Sequence, residues 1–175
     1  MKSILRSLRC EDGSATIEFV LLFPVLFAVL LSTFELGMTM MRQVALDRGL
    51  DLAVRELRIG SLDPVTHDGL KALVCQQALV PIPNCQDRLR LEMQPVDPRN
   101  WSMISTEADC VDRSSPARPV QGFVTAGSNQ LMVLRACALF DPYFPTSSLG
   151  AALKDADGYY ALVSTTAFVI EPRRS

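Results

Sequence analysis

Apolar residues are distributed unevenly along this chain, and their spacing changes character twice. From Phe19 to Phe34 no charged residue occurs (FVLLFPVLFAVLLSTF), and after Glu35 the run continues weakly apolar to Met41. A helix that is apolar on every side wants lipid or a protein core around it. Counted from Ala15 to Met41 the segment covers the ~30 Å hydrocarbon core of a bilayer at ~1.5 Å per residue. Beyond Met41 the pattern becomes a stripe. Leu46, Leu50, Val54 and Leu57 recur at three- and four-residue steps, and Asp51 and Arg55 lie on the polar side. Gly60 supplies a stop signal. One continuous helix from Ser14 to Ile59 is the simplest reading, its first half facing lipid and its second half packing on a domain. Pro24 removes one backbone bond and is a candidate kink.

The remainder reads as α+β. Gly69–Leu79 is a short amphipathic helix that ends before Pro81. Arg88–Val96 alternates, with Leu89, Leu91 and Met93 on one face, and predicts a strand. Leu131–Phe140 and Tyr159–Ile170 predict two more, the last rich in β-branched and aromatic residues. A helical turn is expected around Leu149–Lys154, and residues 97–130 read mostly as loop. Strands of this kind predict an antiparallel sheet packed on the amphipathic half of the long helix.

Charge and cysteine content narrow the function classes. The formal net charge is −2; with no basic stretch interleaved with aromatics, nucleic acid is not an expected partner. Cys10 precedes the apolar run, and Cys75, Cys85, Cys110 and Cys137 follow it. Four downstream cysteines fit two disulfides in an oxidising compartment such as the bacterial periplasm. The alternative is zinc, which wants closer cysteine spacing or histidine partners, and His67 is the one histidine. Cys75 and Cys85 flank a proline-containing turn, so that loop closes easily; Cys110–Cys137 is then the second expected bridge.

A cleaved secretory signal would have a shorter apolar core ending in a small-residue cut site, so a membrane span is the better reading. Lys2, Arg6 and Arg9 precede it, but arginines follow it too; a long downstream domain translocates largely regardless of charge. The cysteines therefore place the domain outside the cytoplasm. Glu35, near the outer end of the span, is expected to reach interfacial water, with a partner-helix contact as the alternative. His67 reads as a solvated loop residue. Nothing resembles a nucleophile with its base or a phosphate loop, so neither catalysis nor a cofactor is expected.

Immediately before the span stand Asp12, Gly13, Ser14, Ala15, Thr16, Ile17, Glu18 and Phe19. A short charged leader ending in glycine, a glutamate five residues later, an aromatic and a long apolar run resemble the processing site of type IV pilin-like proteins. The Glu18-Phe19 pair resembles the Flp (Tad) branch, and the stretch Gly13–Met38 resembles the TadE-like pseudopilins. Cys75 and Cys85 followed by a strand, and the closing strand before Glu171-Pro172, are also similar to that family.

The resemblance implies a pilin-like fold and a minor pseudopilin role in initiating or assembling a Tad/Flp-type pilus. It divides the chain into a cleaved cytoplasmic leader (1–13), a transmembrane helix (14–41), its amphipathic continuation (42–60) and a periplasmic α+β domain (61–175). It places cleavage between Gly13 and Ser14 and gives Glu18 and Phe19 roles in processing and assembly. A prepilin peptidase, other Tad pseudopilins, the Flp pilin, the inner-membrane platform and membrane lipid are the implied partners. The protein is then a single-pass component of the inner membrane, or of the pilus after assembly. The alternative is a membrane-anchored periplasmic binding module or adhesin with no pilus role.

Overall fold

The computed structural model describes residues 14–62, 64–78, 80–99, 108–111, 122–125, 127 and 129–171. Helix α1 spans Ser14–Ile59, 46 residues with Pro24 inside, about 70 Å at ~1.5 Å per residue. It is long and apolar enough to cross a membrane by length and composition. Gly60 (φ 72°) ends it. The Gly60 N–H bonds to the Leu57 carbonyl and the Ser61 N–H to that of Glu56, so two orphan carbonyls of the last turn are satisfied.

Helix α2 (His67–Gln77) begins where the Thr66 hydroxyl accepts the Gly69 N–H. It therefore starts two residues before Gly69. A one-turn helix α3 (Cys85–Arg88), absent from the sequence reading, leads into strand β1 (Leu89–Pro95). Strand β2 (Leu131–Phe140), helix α4 (Ser148–Leu153) and strand β3 (Tyr160–Val169) complete the order. The sheet is three-stranded and antiparallel, in the order β1-β2-β3. The α+β layout expected from the pattern is the one observed. Within the segment read as loop, Gly122 and Val124 bond back to Met93 along the outer edge of β1.

Strand alternation decides what the sheet shows to each side. Leu89, Leu91 and Met93 register against Ala138, Ala136 and Leu134, which in turn face Leu162, Ser164 and Thr166. This face closes on Leu46, Leu50, Ala53, Val54 and Leu57 of α1 and on Leu70 and Val74 of α2. All four stripe residues are buried, each contributing about 1.5–3 kcal/mol by transfer from water. Helix α2 crosses α1 at Gly49, where an added Cβ would lie 3.0 Å from the Val74 carbonyl oxygen. A side chain there would crowd the Val74 carbonyl and press the two backbones apart.

The first half of α1 is different. Its large apolar side chains from Ile17 to Leu30 are 44–68% exposed. Contact with the head begins at Ser32, whose hydroxyl meets that of Ser148 in α4, and Glu35, two turns ahead of Arg42, is the first fully buried residue.

Candidate functional site

The candidate functional residues fall in three places: the start of α1, the junction between α1 and the head, and the cysteine pairs.

At the start, Ser14 is the first helical residue, while Gly13 and Cys10 lie outside the described residues. Glu18 and Phe19 are both exposed on α1. Phe19, Phe23 and Phe27 follow at four-residue spacing with ring centroids 5.2 and 5.7 Å apart, so one face of the projecting helix carries an aromatic row. The exposed apolar surface around them is what an element destined for lipid or for other helices presents.

The junction is where the structure departs most from the sequence reading. Glu35 does not reach water. It is 0% exposed, and its carboxylate accepts the Tyr143 N–H at 3.0 Å and the Phe144 N–H at 2.8 Å. A buried carboxylate is tolerated only with such donors. They come from the β2–α4 connection, which folds against this turn of α1. Seven residues on, along the same side of the helix, Arg42 is 7% exposed. Its Nη1 donates to the Asp141 carbonyl at 2.7 Å and to the Tyr160 hydroxyl at 2.6 Å. The guanidinium also lies 4.2 Å from the Tyr143 ring centroid and 5.0 Å from that of Phe140. Phe34 packs edge-on against Tyr143 and Phe144. Glu35 and Arg42 thus clamp the two ends of segment 141–144, one through backbone N–H groups and one through a carbonyl and aromatic faces. No catalytic chemistry follows from this; it fixes the angle and rotation of the head on its helix.

Sequence reasoning singled out neither Arg42 nor segment 141–144. The one available signal was two charged residues, seven apart, at the border of an apolar run. His67 also differs from expectation: it opens α2, its ring stands edge-on to Phe123 at 5.3 Å, and its side chain is 16% exposed.

The structure brings Cys75 to Cys85 and Cys110 to Cys137 at disulfide distance, with Cα separations of 5.9 and 5.2 Å. The first pair ties α2 to α3. The second ties segment 108–111 to β2, on the sheet face opposite the core. There the Arg90 side chain pairs with Asp109 at 2.7 Å, both nearly buried, and the Asp109 N–H donates to Glu92 at 2.8 Å. Glu92 stands opposite Arg135 across the strands, and their side chains pair at 3.5 Å. Among the described residues no group of three or more His, Cys, Asp or Glu side chains is arranged to hold a metal ion.

Residues 13–55 match the family model described as TadE-like protein. Over those residues the N-terminal helix is similar to that of TadE-like proteins. The match begins at the glycine before α1 and ends inside the packed stripe, so it covers the projecting helix, the Glu35–Arg42 junction and most of the core-facing turns. It stops short of the sheet and all four downstream cysteines. No curated protein and no solved structure matches the chain. The TadE-like match associates the chain with the Tad pilus system in general terms.

Proposed function

We propose that this TadE-like chain is a minor pseudopilin taking part in the initiation or assembly of a Tad/Flp-type pilus. One observation carries the reading: an apolar helix exposed on all sides from Ile17 to Leu30 projects from a compact head, and the family match lies on that same helix. Such a helix can leave lipid and enter a helical bundle without unfolding anything. The head adds a sheet and two cysteine pairs beyond the helix, more than a fibre subunit needs for packing. This favours a component present in few copies that contacts other pseudopilins through its head. The role is structural rather than enzymatic.

In this reading the helix sits in the inner membrane with the N-terminus cytoplasmic and the head periplasmic. A prepilin peptidase removes residues 1–13, cutting between Gly13 and Ser14. Glu18, about one turn into the mature helix, then pairs with the new ammonium of its own or a neighbouring chain, because a lone carboxylate at membrane depth is costly. The other partners are Flp pilin helices, further pseudopilins and the inner-membrane platform.

N-terminal sequencing of protein extracted from membranes tests this. A mature chain beginning SATIEF is expected. Gly13→Leu should leave a longer, membrane-retained form, because glycine's lack of a Cβ lets the backbone extend into a peptidase site. Glu18→Ala should still be inserted and cut but should join the assembly poorly. An intact Met1 terminus in cells with an active prepilin peptidase would leave the second reading, an anchored periplasmic binding module or adhesin.

A further inference from the structure

The uncharged part of α1 between Glu18 and Glu35 is sixteen residues long, about 24 Å at ~1.5 Å per residue, against a hydrocarbon core of ~30 Å. Something must cover the missing turn. Until cleavage frees an ammonium at Ser14 to pair with it, Glu18 is an exposed carboxylate of α1, and lowering it into hydrocarbon means desolvating that charge. Glu35 is already removed from water and held by two backbone N–H groups. Sinking that end adds little electrostatic cost, provided that the segment donating those N–H groups sinks with it.

That segment is suited to the move. From Pro142 to Leu153 (PYFPTSSLGAAL) there is no charged residue; Asp141 and Lys154 bracket it. Helix α4 stands beside α1 below the level of Glu35: the Ser148 and Ser32 hydroxyls meet at 3.2 Å. An apolar groove between the two helices is lined by Pro24, Val25, Ala28 and Val29 of α1 and by Leu149 and Ala152 of α4. Two N–H groups of the first α4 turn are satisfied internally, as hydrocarbon demands. The Ser147 hydroxyl accepts the Gly150 N–H, and the Ser147 carbonyl accepts that of Ala151. At the junction Tyr143 remains 44% exposed, an amphipathic ring of the kind that collects at a bilayer interface, and Phe34 beside it is 50% exposed. Lys154, exposed at the end of α4, can reach headgroup phosphates along its apolar stem.

We propose that the head does not stand clear of the membrane but is seated in the leaflet on its own side, with segment 142–153 embedded at the headgroup–acyl boundary and lipid acyl chains filling the α1–α4 groove. The proposal rests on the membrane-span reading of α1. Length supplies the argument for lipid as occupant: the surface is continuous with the exposed face of the span and makes good its shortfall. Seating also sets the height and tilt at which the head meets its neighbours.

Depth-dependent fluorescence quenching tests this on the full chain in vesicles of phosphatidylcholine and phosphatidylglycerol containing chain-brominated phosphatidylcholine. In a Trp101→Phe background, single indoles are placed by Val25→Trp, Ala152→Trp and Val163→Trp. Ala152 and Val163 are both exposed in the protein. The Ala152→Trp indole should lose about half its emission to bromines near the headgroup end of the chain, the depth of an interfacial segment. The Val25→Trp indole should respond most to deep bromines and the Val163→Trp indole to neither. Ala151→Trp, also exposed, replaces Ala152→Trp should the latter disturb α4. Quenching of the Val25→Trp indole without quenching at α4 would overturn the seating and leave the span intact. An α4 indole that bromine fails to quench at any dilution of the protein in lipid, because a second copy covers it, would overturn it as well. No quenching at any position would remove the span reading, and the seating with it.

Discussion

The two halves of α1 belong to one unbroken helix, yet they solve opposite problems. Residues 17–30 carry apolar side chains on every face and leave them uncovered; residues 46–57 carry a stripe, Leu46, Leu50, Val54 and Leu57, that is buried throughout. The halves differ in total hydrophobicity and also in arrangement. A stripe can be covered by one sheet and one small helix, whereas an all-round apolar surface needs a surrounding medium. The residues between, Glu35 to Arg42, are where the covering passes from outside to the chain itself, and there polar groups do the joining.

The largest effect that would sharpen this contrast lies in the packed half. Leu50→Ala should destabilise the head by about 2–5 kcal/mol, since a fully buried leucine leaves a cavity. Leu26→Ala, on the projecting half, should change head unfolding by less than about 0.5 kcal/mol. Denaturant unfolding of both variants in the same mild detergent compares them directly. Equal losses would mean that the projecting half is folded into the head.

Next in size come the cysteine pairs, which act only on the head. Cys110→Ser with Cys137→Ser should lower head stability by about 2–4 kcal/mol and free segment 108–111 to proteolysis. Non-reducing peptide mapping should join Cys75 to Cys85 and Cys110 to Cys137. A Cys75–Cys110 peptide, or free thiols in exported protein, would contradict this pairing.

The junction should be weaker but more specific. Glu35→Ala strands two partly buried N–H groups, a cost of about 1–3 kcal/mol at most. Amide exchange at Tyr143 and Phe144 should rise well before that of β2. Glu35→Gln keeps one acceptor oxygen and should fall between the variant and the native chain. If exchange at 143–144 stays unchanged, the head is held by the stripe alone.

The smallest effect concerns Lys71 of α2, whose pKa is lowered by burial despite the opposing pull of Asp68 and Asp87. A cation with a depressed folded pKa costs stability while both states are charged. The cost is relieved as pH rises through the folded value toward the ordinary one. Head stability should therefore gain slightly in that alkaline window, and Lys71→Met should abolish the gain. Thermal melts across the window read it.

Much of this could be read from order and spacing alone. The limits of α1, the stripe Leu46–Leu57, the three strands and their antiparallel packing on the helix all follow from local periodicity, because each element's own residues declare which face must be covered. The edges of α2 were displaced because Thr66, a cap residue, starts the helix earlier than its apolar pattern does. The junction was hidden for a stronger reason. Whether Glu35 meets water or is buried depends on donors 108 and 109 residues away, and those donors are main-chain N–H groups that carry no side-chain signature. Arg42 likewise looked like one of several arginines after the span until Asp141, Tyr143 and Tyr160 closed around it. Asp109 meets Arg90 and Glu92, which lie on the preceding strand, β1. Periodicity determines which surfaces must be hidden. Which distant backbone and side chains meet there to satisfy a charge is settled only when the chain has folded, since a hydrogen bond is made between atoms in space and not between positions in a sequence.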